Sequence, residues 1–216
     1  AARVLNRAFI PHVIDSHTES RDLIWTFDAV KRLADAQIIG ILASDRDAAR
    51  AELAVENYLH PGPLWWAFDW NDAMKQADRV QATPPPQRDG GSWEKGCVIL
   101  LDEIDKAESE VPNGLLEALG AREFTPFGRS VPVCATGIAP LVVITTNEER
   151  SLPEAFLRRC MVLFLSLPED KTRLMDFLVE RGLAHFSELT ESLLRKAAEM
   201  LFVDRQAAIK AQVRPF

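Results

Sequence analysis

Cysteine is scarce in this sequence, and long apolar runs are missing. The 216 residues hold three cysteines, one tyrosine and four methionines. Cys97, Cys134 and Cys160 are an odd set with no C-x-x-C spacing, which excludes a disulfide framework or zinc knuckle and reads as reduced thiols. His12, His17, His60 and His185 are scattered without ligand spacing, so no histidine metal centre is expected. No apolar stretch approaches the roughly 20 residues that span a bilayer. No basic, apolar leader opens the chain, and a cytoplasmic protein without membrane contact is the expectation. Positive charge is in deficit: 25 Lys and Arg against 32 Asp and Glu leave −7, the wrong sign for a body that coats nucleic acid.

What remains is a globular composition, 47% hydrophobic and 26% charged, sufficient for a buried core. At roughly 150 residues per domain, the length predicts one domain and part of a second. The opening AARVLNRAF reads as the tail of an amphipathic helix already under way, and QVRPF ends without a helix stop. The expectation is a piece of a longer chain.

Several elements follow from pattern. Phe9 to Asp15 reads as a strand despite Pro11. Ser20 or Asp22 is expected to start a helix carrying Trp25, Phe27, Val30, Leu33 and Ile38 near a 3.6-residue stripe. SDRDAARAELAVENYLH reads as a solvated helix face with Ser44 as a plausible N-cap. Pro63 suits a first helical turn, with Leu64, Trp65, Phe68 and Trp70 supplying bulk, and such aromatic clustering reads as core or subunit interface. Residues 83–92, TPPPQRDGGS, read as a turn-rich linker.

From Cys97 onward the pattern alternates. CVILLD is a continuous apolar run ending in an acid, as in a strand buried on both faces of a parallel sheet. A helix with Pro112 in its first turn and Leu115, Leu116 and Leu119 on one side follows. Then come a hairpin region over 122–138, a second buried strand at LVVITTN, a short helix at PEAFLRR and a third strand over 161–166. From Pro168 the chain reads as helical, with Leu174, Phe177 and Leu178 on one helix and Leu189, Leu193, Leu194, Ala197 and Leu201 on the next. The alternation predicts an α/β domain with a parallel sheet, followed by a small helical piece.

Chemistry concentrates at the strand ends, where open α/β sheets bind ligands. Asp102 can hold a hydrated Mg²⁺, an ion that takes one or two carboxylates and keeps several waters. Glu103 can orient and polarise a water for attack on a phosphoryl group. Asn147 ends the next strand, and its amide can hold a water or a phosphate oxygen. Beyond it, the guanidiniums of Arg158 and Arg159 can clamp phosphate and stabilise charge developing in phosphoryl transfer, also from a neighbouring subunit.

Taken together, CVILLDEIDKA, VPNGLLEALGAREF and LVVITTNEERSLPEAFLRRC resemble the AAA+ ATPases, specifically their MoxR-like and dynein-related branch. RDLIWTFDAVKRLADAQ and PGPLWWAFD resemble segments that lie between the P-loop helix and the Walker B strand of those proteins. The resemblance implies a P-loop NTPase-type (AAA+) parallel sheet flanked by helices. It divides the chain into an incomplete core over 1–166, starting after the P-loop, and a partial all-helical lid over 167–216. The implied cofactors are ATP and Mg²⁺, with Asp102 as the metal and nucleotide contact. Glu103 would activate the attacking water, and Asn147 would be sensor 1 and touch nucleotide. Arg159 would be the arginine finger, with Arg158 in reserve. The implied assembly is a ring homo-oligomer, a hexamer, that remodels a protein client without membrane or nucleic acid. The 122–138 hairpin region and the tryptophans of 65–70 are the candidate partner-facing elements.

The sequence also departs from that pattern. No G-x-x-x-x-G-K-[ST] occurs in it, and the resemblance places that loop about 10–15 residues before Ala1. A sensor 2 arginine has no counterpart before Phe216. The strand preceding the loop would lie between those at 141–147 and 161–166. Without it two inner edges lose partners, at about 1–3 kcal/mol for each buried unpaired backbone group. Weak ATP binding and reduced stability are therefore expected of these residues alone. Two other readings stay open. One is a non-hydrolysing scaffold or assembly protein that kept the fold. The other is a nucleic-acid-dependent NTPase, of motor or restriction type, against which the acidic balance weighs.

Overall fold

The computed structural model describes residues 1–42, 45–87, 91–135 and 137–212, which form two compact units, Ala1–Met161 and Val162–Phe216. In the first unit, the single-turn α1 (Ala2–Leu5) closes on Asn6 and leads into β1 (Arg7–Val13). A 3-10 turn at Ser20–Leu23 precedes β2 (Trp25–Phe27), α2 (Ala29–Leu42) and α3 (Arg46–Glu52). Next come β3 (Leu59–Pro61), α4 (Pro63–Phe68), α5 (Trp70–Val80) and β4 (Ser92–Asp102). The unit continues with α6 (Glu110–Ala121), β5 (Glu123–Phe124), β6 (Val133–Cys134), β7 (Leu141–Ile144) and α7 (Glu154–Leu157).

The fold is mixed α/β, with a three-stranded parallel sheet flanked by helices. Its strand order is β1-β4-β7, and both pairings are parallel. The apolar run in β4 explains its central place: Cys97, Val98, Ile99 and Leu101 are buried, as a strand covered on both faces requires. Pro11 is tolerated in β1 because that strand, among the described residues, pairs along one edge only. Against the sheet lies a core of Leu64, Trp65, Phe68, Ala73, Ala77, Val111 and Leu115. Phe124 of the hairpin sits at the aromatic centre, its ring 5.8–6.0 Å from those of Trp25, Trp65 and Phe68.

Several expectations change. The helix expected from Ser20 or Asp22 is instead a 3-10 turn, a strand and then a helix. Trp25, Thr26 and Phe27 pair antiparallel with Pro61, His60 and Leu59, so the aromatic residues at 25 and 27 act as strand formers. Asp28 then starts α2 by accepting the Lys31 N–H. The stripe Val30, Leu33 and Ile38 is exposed rather than packed, since α2 turns Arg32, Ala36 and Ile39 toward partial cover. The strand expected to be buried at 141–147 covers Leu141–Ile144 and alternates exposed and half-buried, because β4 alone pairs with it among the described residues.

The third strand, over 161–166, does not form, and Met161, Val162, Leu163, Phe164 and Leu165 are exposed. An apolar run becomes a buried strand only beside a neighbour, and among the described residues none pairs with it. The tryptophan cluster is also not partner-facing in this chain. Trp65, Trp66 and Trp70 are buried, because α4 and α5 lay them on the core.

Other features lie where the pattern puts them. Pro63 occupies the first turn of α4, and Asp45 caps α3 by accepting the Asp47 and Ala48 N–H groups. The expected cap Ser44 lies outside the described residues, as do 88–90 of the 83–92 linker, Thr136 of the hairpin region and the terminal 213–216. The hairpin is β5 paired antiparallel with β6. Arg129 anchors its loop, donating to both Asp72 carboxylate oxygens at 2.7 and 3.1 Å while stacking over the Trp65 ring. With Trp65 Nε1 also donating to Oδ2 at 2.9 Å, the Asp72 carboxylate accepts three side-chain hydrogen bonds, two from Arg129 and one from Trp65.

The second unit is a helix pair, α8 (Lys171–His185) and α9 (Glu191–Lys210). Asp170 caps α8 through the Arg173 N–H, and Thr190 caps α9 through the Leu193 N–H. Leu189 lies ahead of α9 rather than on it. The seam buries Leu174, Val179 and Ala198, while Leu193 and Leu201 stay exposed. Among the described residues, no helix is long and apolar enough to cross a membrane.

Candidate active site

The parallel register brings the ends of β4 and β7 to one level. Leu101 pairs with Ile144, and the ladder runs past the strand ends, with the Thr145 N–H donating to the Leu101 carbonyl and the Ile104 N–H to the Thr145 carbonyl, each at 3.0 Å. Asp102, Glu103 and Asn147 therefore meet at the carboxyl edge of the sheet, although 44 residues separate the last two. The Asn147 Nδ2 donates to Glu103 Oε1 at 3.4 Å.

Three residues outside the sequence-derived set organise this edge. The Thr145 hydroxyl donates to Asp102 Oδ1 and accepts the Glu103 N–H at 3.0 Å, so one side chain ties both acids. Lys106 pairs with Glu103 Oε2. That hydrogen bond, with the charge of Glu103, raises the Lys106 pKa against a smaller opposing effect of burial. Asp105 is 2% exposed and accepts the Asn147 and Glu149 N–H groups on Oδ2 at 3.2 and 2.9 Å. The sequence carries a signal for each: polar residues follow a buried apolar run at Thr145, and Asp105 and Lys106 directly extend the acid pair. Deciding that they face one another requires knowing which strands are neighbours.

The backbone at this edge is unusual. Glu103 has φ 61° and Glu148 has φ 58°, both left-handed without being glycine. Such residues cost about 1–3 kcal/mol each and persist where surrounding bonds fix them, often at functional sites. Here the fixing bonds are the Thr145 hydroxyl on the Glu103 N–H and the Thr146 hydroxyl accepting the Glu148 N–H at 2.9 Å.

Asp102 fits a hydrated divalent ion. Its Oδ1 is taken by Thr145, while its Oδ2 carries no hydrogen bond among the described residues, at an edge open to solvent. No cluster of three or more His, Cys, Asp or Glu able to hold a metal occurs among the described residues. One carboxylate oxygen is what Mg²⁺ asks of a protein when phosphate and water complete its shell.

Arg158 and Arg159 do not join this group. Arg158 donates to Glu154 at 2.9 Å and Arg159 to the Ala155 carbonyl at 2.8 Å, so α7 and its approach hold both guanidiniums on an exposed surface.

Against known proteins, the chain matches no family model and no curated protein. Among solved structures it is similar to a putative ATPase from Cytophaga hutchinsonii, at 12% identity and a TM-score of 0.41. That match covers 92% of this chain and 47% of the other, so the chain spans less than half that protein's length.

Proposed function

We propose that this chain supplies the hydrolytic edge of an Mg²⁺-dependent ATPase of the MoxR-like AAA+ kind. One observation carries the reading: an adjacent acid pair, Asp102 and Glu103, lies at the end of the central strand of a parallel sheet, with the Asn147 amide from the loop after the neighbouring strand on the second acid. In this reading Asp102 Oδ2 holds the metal. A bound Mg²⁺ would neutralise charge on phosphate oxygens. Glu103 holds the attacking water by accepting its proton, and Asn147 orients the Glu103 carboxylate.

Arg159, or Arg158 beside it, acts on a neighbouring subunit. Both are exposed, and among the described residues their hydrogen bonds go to α7, consistent with a partner that is not in the same chain. The whole protein is then a ring of identical subunits, a hexamer, that uses ATP to remodel a protein client, in the cytoplasm and without nucleic acid.

A second reading, a non-hydrolysing scaffold, draws on the Lys106 ion pair, which occupies the Glu103 carboxylate a water would need. Glu103→Gln in the whole protein separates the two. The hydrolytic reading expects retained ATP binding with turnover abolished. Turnover that survives Glu103→Gln removes Glu103 from catalysis. Absence of Mg²⁺-dependent turnover in the unmodified protein selects the scaffold.

A further inference from the structure

Asp105 is a buried charge in search of a reason. It sits in the 3-10 turn Ile104–Lys106 that leaves β4, and no ion pair reaches it among the described residues. A carboxylate taken out of water without a cation is costly unless hydrogen bonds replace its hydration. For one oxygen the replacements come from the far side of the site: the N–H groups of Asn147 and Glu149 converge on Oδ2, while Oδ1 is buried without a hydrogen-bond partner among the described residues. Burial would raise the Asp105 pKa, yet the Glu149 amide, the amide of Asp105 itself, the Asn147 amide and the Thr146 hydroxyl together outweigh it and hold the group below the ordinary aspartate range.

Between those two amides stands Glu148 in its left-handed conformation. The turn over 147–149 therefore wraps its backbone around one carboxylate, and Asn147 is the residue whose side chain reaches Glu103. The ladder bonds end at Thr145, two residues short of Asn147; beyond it the loops are joined by the Asp105 carboxylate, by the exposed Arg150–Glu108 ion pair at 3.0 Å and by the Asn147–Glu103 contact itself.

We propose that Asp105 is the positioning residue of this site. Its carboxylate pins the 147–149 turn to the exit of β4 and so sets the reach of the Asn147 amide to Glu103. The proposal rests on the hydrolytic reading for its consequence in turnover, and on geometry alone for its consequence in the turn. A residue that merely held the fold would lower stability without singling out the Asn147 amide or coupling to that side chain in the rate.

The test has two arms. In the first, backbone amide hydrogen exchange is read by NMR on this chain. The Asn147 and Glu149 amides are expected to be protected in the unmodified chain, and Asp105→Ala is expected to lose that protection while the β4 amides keep theirs. Asp105→Asn, which retains an acceptor oxygen, is expected to recover part of it. Exchange at both amides as fast as at exposed loop positions in the unmodified chain overturns the proposal, and needs no variant to fold.

In the second arm, ATP turnover is measured in the whole protein. Asp105→Ala is expected to lower kcat on the order of 10- to 100-fold, as displacement of a catalytic group does, with a much smaller change in KM. Added to Asn147→Ala, the same change is expected to cost little more, because both remove one interaction. A full independent loss in the double variant, or an unchanged kcat in Asp105→Ala, overturns the proposal. If the unmodified protein has no turnover, the hydrolytic reading fails, and the exchange arm alone decides the role of Asp105.

Discussion

Thr145 donates its hydroxyl to Asp102 across two parallel strands, and the same oxygen accepts the Glu103 N–H. The two acids are thus held by the residue that follows β7 rather than by their own strand. Replacing Thr145 with Val keeps the shape and the β-branch but leaves Asp102 Oδ1 and the Glu103 N–H unpaired. The expected loss is about 1–3 kcal/mol, measured by chemical denaturation. Thr145→Ser, which keeps the hydroxyl, is expected to stay much closer to the unmodified chain; equal losses in both would mean that the methyl, not the hydrogen bonds, matters.

Two glycines predict changes of opposite sign. A Cβ at Gly62 would stand 2.6 Å from the Asp22 carbonyl oxygen and 2.8 Å from the backbone of Leu23 and Ile24, atoms that cannot swing away. Gly62→Ala is expected to destabilise by about 1–3 kcal/mol through overpacking. Gly40 lies inside α2 with nothing within 4 Å of an added Cβ. Gly40→Ala is expected to stabilise by up to about 1 kcal/mol, the usual helix-interior difference. Thermal melts of the two variants check both signs.

His12 gives the first unit a pH dependence near neutrality. Burial lowers its pKa from 6.5, against the opposing charges of Asp22 and Asp15, and its Nε2 is buried without a partner among the described residues. With the folded value depressed, the unfolded chain takes up the proton first as pH falls. The stability tied to neutral His12 is fully present above about 6.5 and is lost as pH falls toward the folded pKa. Denaturation midpoints followed from pH 7.5 downward should decline through this range, and His12→Gln should flatten that part of the profile. An unchanged slope in the variant would assign the dependence to another group.

How much of this was written locally can be judged residue by residue. The apolar run of 97–101 with an acid at 102 determined a buried parallel strand and an acid pair at its end, because burial on both faces demands continuous apolar side chains. Pro63 determined the start of α4, and Gly128 and Gly137 marked the hairpin region over 122–138. These signals act within a few residues, so periodicity and turn chemistry reveal them.

Tertiary structure decided the rest, since pairing and burial depend on residues far apart in sequence. Trp25 and Phe27 looked helical by spacing and became a strand because Leu59–Pro61 was there to pair. The apolar run at 161–165 looked like a strand and did not become one, for want of a neighbour among the described residues. The strand order set Asn147 on Glu103. Asp105, an ordinary acid in the sequence, became a buried support only when two amides from another loop closed over it. Local sequence supplied the chemical groups; the register between strands chose which of them meet.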